Sequence, residues 1–127
     1  MKEIMFVFLG SGMGGTLRYF ISKWLNNTET IKFPLATFFT NIVACFLLGL
    51  LVGLLNNKYL PESSKFLWIT GFCGGLSTFS TFSYETLELL EFKHYFELGL
   101  YTGLSFILGV MFTYGGIYLV SKWTKLS

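Results

Sequence analysis

Four long apolar runs, each about the length a helix needs to cross a bilayer, leave this chain little material for anything else. They cover about residues 4–25, 33–55, 66–90 and 98–120 of 127, joined by short polar connectors such as Asn26–Thr30. In hydrocarbon a spanning segment must pair its own backbone groups, which a helix does. The chain is therefore predicted to be an all-α integral membrane protein, a single domain over residues 1–127 with four transmembrane helices. Composition agrees: 53% of residues are hydrophobic, 13% are charged and none is Asp. An even number of crossings puts both termini on one side. The first run continues through Gly10-Ser11-Gly12-Met13-Gly14-Gly15 instead of ending at a cleavage site, so no cleaved signal peptide is expected.

Charge and cysteine usage exclude several function classes. A net charge of +2 is too weak for nucleic acid. Cys45 and Cys73 both lie in apolar stretches and are expected to be free thiols acting as small hydrophobes. No grouping of nucleophile, base and metal ligands marks an enzyme.

The cations also speak to assembly. Lys2, Lys58, Lys65, Lys122 and Lys125 fall on the side of the termini, and Arg18, Lys23, Lys32 and Lys93 on the other, five against four. Orientation normally follows an excess of Lys and Arg on the cytoplasmic side. Without that excess the chain is expected to insert both ways, a dual topology, and to pair with an inverted copy of itself. Small residues four apart (Gly10 with Gly14, Ser11 with Gly15, Gly49 with Gly53, Gly99 with Gly103) suit close helix packing in lipid. No internal repeat is visible, so two-fold symmetry would have to come from a second copy.

The third run is the unusual one. Gly71-Phe72-Cys73-Gly74-Gly75-Leu76-Ser77-Thr78-Phe79-Ser80-Thr81-Phe82-Ser83 is poor material for a plain helix. The sequence predicts a mid-membrane break at Gly74-Gly75. Such breaks survive only where protein or a wet cavity satisfies the freed backbone groups. Freed carbonyls favour a cation and freed amides an anion; a kink patched by Ser and Thr hydroxyls is the plainer alternative. Phe79 and Phe82, three apart, share a face, and the positive ring edge can border an anion without a full charge. Asn41 in the second run can donate two hydrogen bonds to an anion or across helices. Arg18 either attracts anions at an entrance or snorkels to the interface, which the sequence favours. Glu85 faces a vestibule or a membrane surface.

These residues resemble the Fluc/CrcB family of fluoride channels over essentially the whole chain. The resemblance is carried by Gly14-Gly15-Thr16-Leu17-Arg18-Tyr19, by Thr37 through Asn41 to Gly49, and most specifically by Gly71 to Phe82. It implies passive efflux of fluoride from the cytoplasm of a bacterial cell across the plasma or inner membrane, protecting the cell from fluoride toxicity. It also implies an antiparallel, dual-topology homodimer with two pores. A structural, non-transported Na⁺ at the two-fold axis would be held by the backbone carbonyls of Gly74 and Ser77. Phe79, Phe82, Asn41, Ser80 and Thr81 would line the path, with Arg18 and Glu85 at its entrance or vestibule. Along the fourth helix, Ser105 and Thr113 are the expected polar track, with Tyr101 and Tyr114 as alternatives. Gly109 stands where relatives carry a hydroxyl. The alternative function, a small dual-topology proton-coupled multidrug exporter, needs a membrane-embedded carboxylate, and the first run has no acid after Glu3.

Overall fold

The computed structural model describes residues 1–25 and 32–126, so the polar loop Asn26–Thr30 lies outside the described residues. Helix α1 spans Lys2–Leu25, α2 Leu35–Asn56, α4 Phe79–Glu91 and α5 Tyr95–Leu126. Between α2 and α4, a π-helical run over Phe66–Cys73 tightens into one α turn, Gly74–Leu76; together they form α3. Among the described residues there is no strand, and α1, α2 and α5 are long and apolar enough to cross a membrane.

Local chemistry sets the ends. Pro34, with φ −74° and ψ 74°, stands immediately before α2, where its missing amide costs nothing. Lys58 (φ 61°) and Lys93 (φ 59°) take the left-handed conformation that ends α2 and α4. The amides after them reach back across the last turn, Tyr59 to the Leu54 carbonyl (2.9 Å) and His94 to that of Leu89 (2.8 Å). Helix α5 is longer than the predicted 98–120, because hydropathy marks only the hydrocarbon-depth part of a helix. At 32 residues it extends about 48 Å, against about 30 Å of hydrocarbon. Its polar and aromatic ends, among them Glu97, Trp123 and Lys125, suit the two interfaces.

The helices pack as two pairs, α1 along α3 and α2 along α5. Backbones touch at small residues. A Cβ on Gly14 would strike the Phe72 carbonyl, and one on Gly49 would strike that of Thr113. The predicted Gly99 and Gly103 pair does no such work inside the chain, since a Cβ there meets nothing within 4 Å; on α5 the close approach is at Gly116, where an added Cβ would lie 2.6 Å from the Phe46 carbonyl. Large apolar side chains such as Phe8 (77% exposed) and Phe106 (75%) point outward, while Thr37 and Thr40 are buried. That inversion fits a lipid surround and not water.

The break falls later than the sequence predicts. Gly74 and Gly75 are helical, and the backbone turns extended at Ser77 (φ −81°, ψ 157°) and Thr78 (φ −150°, ψ 122°). Gly75 is needed for packing instead: a Cβ on it would lie 2.5 Å from the Ser11 carbonyl of α1.

Candidate functional site

The interruption at Ser77-Thr78 deprives an apolar segment of helical hydrogen bonds, and side chains from other helices replace them. The Thr78 amide donates to Asn41 Oδ1 at 2.8 Å, and Asn41 Nδ2 donates to the Thr78 carbonyl at 3.2 Å. Thr78 Oγ1 in turn accepts from the Thr81 amide at 3.2 Å, capping α4. In an unbroken helix those two amides would bond the carbonyls of Gly74 and Ser77. The break thus diverts the regular donors of the two carbonyls expected to hold a cation. Their donor chemistry fits a hard cation, which takes oxygen ligands. Among the described residues no three His, Cys, Asp or Glu gather as an alternative metal site.

Arg18 does not snorkel. Its Nε donates to the Gly75 carbonyl at 3.0 Å, 57 residues away, so the guanidinium is drawn inward to the break. Beside it lies a polar cavity of about 300 Å³ between α1, α2 and α4, lined by Arg18, Thr37, Thr78, Thr81 and Glu85 among others. Glu85 is clasped there, its two oxygens accepting from Thr37 Oγ1 and Tyr101 Oη, each at 2.8 Å. Tyr101 is fully buried; its hydroxyl is committed to Glu85 and its ring packs against Phe82, centroids 4.9 Å apart. This alternative for the polar track acts as a clasp.

On the other side of Thr78 a groove runs along α2 and α5. Its first half, about 520 Å³, is lined by Asn41, Ser77, Thr78, Phe79, Phe82 and Ser105 with Cys45, Thr102 and Phe106. The second half, about 500 Å³, shares Cys45, Ser105 and Phe106 and continues past Gly109 to Thr113 and Tyr114. Neither half has a charged lining residue. Phe79 and Phe82 stack, with centroids 5.9 Å apart and planes at 29°. Ser105 lines both halves, and its Oγ is buried without a hydrogen-bond partner. Thr113 lines the far end, but its hydroxyl donates to the Gly109 carbonyl at 2.9 Å.

The predicted site residues therefore divide. Asn41, Ser77, Phe79, Phe82, Ser105 and Thr113 share the groove, while Arg18, Thr81 and Glu85 share the polar cavity. Ser80 is exposed, its hydroxyl 3.3 Å from that of Thr78. Gly74 is exposed at the surface of the single chain. Sequence reasoning missed Thr78, which borders both spaces, although a Thr opening a helix after Gly-Gly-Leu-Ser is a recognisable cap. It also missed Thr37 as a partner of Glu85, for which no local signal exists.

The family described as CrcB-like protein, Camphor Resistance (CrcB), matches residues 5–117. The chain is 41% identical over 123 residues to a Flavobacterium psychrophilum protein named fluoride-specific ion channel FluC, covering 96% of this chain and 99% of that one. A protein of the same name from Azobacteroides pseudotrichonymphae is 43% identical over 110 residues, covering 86% and 88%. One from Gloeothece citriformis is 40% identical over 126 residues, covering 96% and 99%.

Proposed function

The chain belongs to the CrcB family, and from that membership and the chemistry of its groove we propose that it is a fluoride-selective channel for passive efflux from the cytoplasm. The observation that carries this reading is a groove with neutral donors, stacked Phe79 and Phe82, and no charged lining residue. Fluoride is small and strongly hydrated, so a path must replace its water with short hydrogen bonds. A fixed cation on the path would hold it too firmly, because conduction needs several weak sites. Ser105 Oγ and the second amide hydrogen of Asn41 are suited to that task. No catalytic chemistry is part of this reading.

Two inverted copies form the working unit in this proposal. The five-to-four cation balance supports dual insertion, and Gly99 and Gly103 on α5, where an added Cβ meets nothing within 4 Å, leave room for close packing of a second copy. A second copy would close the groove and bring the third crossing, α3 plus α4, against its counterpart. The Gly74 and Ser77 carbonyls of both copies would then hold a structural Na⁺ that is not transported, and that ion supplies positive charge favouring anions nearby. A bacterial plasma or inner membrane is the proposed location.

Fluoride-loaded liposomes containing the pure protein test the reading, with efflux followed by electrode. Fast fluoride release with chloride nearly retained is expected. Equal rates for both anions would refute it.

A further inference from the structure

The two halves of the groove meet at three residues, Cys45, Ser105 and Phe106, which line both. An ion moving from Phe79 and Phe82 toward Thr113 must pass this joint. Two independent features mark it as a place where something polar is handled. Ser105 Oγ is buried there without a partner, although a helical serine can bond back to the carbonyl one turn earlier. Opposite the helix backbone, Cys45 Sγ lies 3.5 Å from where a Cβ on Gly109 would stand. The thiol of α2 thus sits at van der Waals distance from the point where a side chain at Gly109 on α5 would begin. Cys45 is half-buried, unlike the fully buried Cys73.

On the fluoride reading above, we propose that Cys45 is a lining residue of the anion path, setting its width at the joint and adding a weak S–H donor beside the Ser105 hydroxyl. A thiol has the volume of a small hydrophobe with one weak donor. It narrows the path over Gly109 without attracting the anion strongly. A group added to this sulfur would stand at the joint that both halves of the groove share.

The test uses fluoride-loaded liposomes of the wild type, Cys45→Ala and Cys73→Ala, treated with methyl methanethiosulfonate. The reagent transfers CH₃S to a thiol: a new S–S bond forms, the reagent's own S–S bond breaks, methanesulfinate leaves and the thiol proton goes to water. Each variant is compared with its own untreated rate, and mass spectrometry reports which cysteine carries the label. Wild type and Cys73→Ala should lose at least tenfold in fluoride flux and regain it with dithiothreitol, while Cys45→Ala should not respond. Fluoride at high concentration should slow labelling of Cys45 several-fold where equal chloride does not, a protection that mere distortion of the fold would not produce. Flux that persists with Cys45 fully labelled, or labelling indifferent to fluoride, would overturn the proposal while leaving the channel reading intact. Untreated liposomes that release no fluoride would instead refute the channel reading, and this inference with it.

Discussion

Replacing Asn41 with Ala removes both bonds that hold the helix break open. The Thr78 amide loses its acceptor at 2.8 Å and the Thr78 carbonyl loses a donor at 3.2 Å. Leaving a part-buried amide unsatisfied costs up to about 1–3 kcal/mol, and the second, longer bond contributes about 0.5–1.5 kcal/mol, for a loss of about 1.5–4.5 kcal/mol. Side-chain bonds between membrane helices average only about 0.6 kcal/mol, because other partners are found in the membrane-unfolded state. The larger figure holds here because Thr78 sits in extended backbone before α4, where a helical substitute, the Gly74 carbonyl, would require the break to close. If the chain takes that substitute, the break closes and the Gly74 oxygen turns inward, so the energetic cost falls but the site is lost. Thermal unfolding in detergent, read by tryptophan fluorescence, is measured beside fluoride efflux. Asn41→Ala is expected to melt markedly lower, or to melt normally with flux reduced at least tenfold. Asn41→Asp separates the two bonds: its carboxylate still accepts from the Thr78 amide but cannot donate to the Thr78 carbonyl, so some stability is lost, while its negative charge on the groove suppresses flux. Wild-type melting together with wild-type flux in Asn41→Ala would refute the reasoning.

Phe79→Ile and Phe82→Ile keep bulk but remove the positive ring edge, and each should lose at least tenfold in fluoride efflux with the protein still folded by size-exclusion chromatography. Gly75→Ala places a Cβ 2.5 Å from the Ser11 carbonyl and should lower the melting temperature through a strain of about 1–3 kcal/mol. Gly74→Val, by contrast, starts from a position whose added Cβ would meet only the Ile69 carbonyl at 3.9 Å; loss of dimer on chromatography, with the single chain still helical by circular dichroism, would locate its effect between copies. A cysteine placed at Leu126→Cys in a Cys45→Ala, Cys73→Ala background should be labelled from both faces of intact cells, and labelling from one face alone would rule out dual orientation. Three added Lys on one side should then force a single orientation and abolish efflux.

Hydropathy, small-residue spacing and turn chemistry are sums over neighbouring residues. The helical membrane class, the three long apolar helices and the irregular third segment were therefore legible in the sequence. The family motifs Gly14–Tyr19 and Gly71–Phe82 likewise pointed to the residues that gather at the site. Local pattern could not say where the break falls. Gly74-Gly75 reads as a helix breaker, yet both residues are helical, with Gly75 packed against Ser11 of α1, and the chain opens at Ser77-Thr78 instead. The reason lies in partners distant in sequence: Asn41 is 37 residues from Thr78, Thr37 is 48 from Glu85 and Arg18 is 57 from Gly75. A backbone group in hydrocarbon must be satisfied, but which side chain satisfies it depends on how whole helices pack. Tertiary structure alone made Arg18 a ligand of the break, Tyr101 a clasp on Glu85, and Cys45 a neighbour of Gly109.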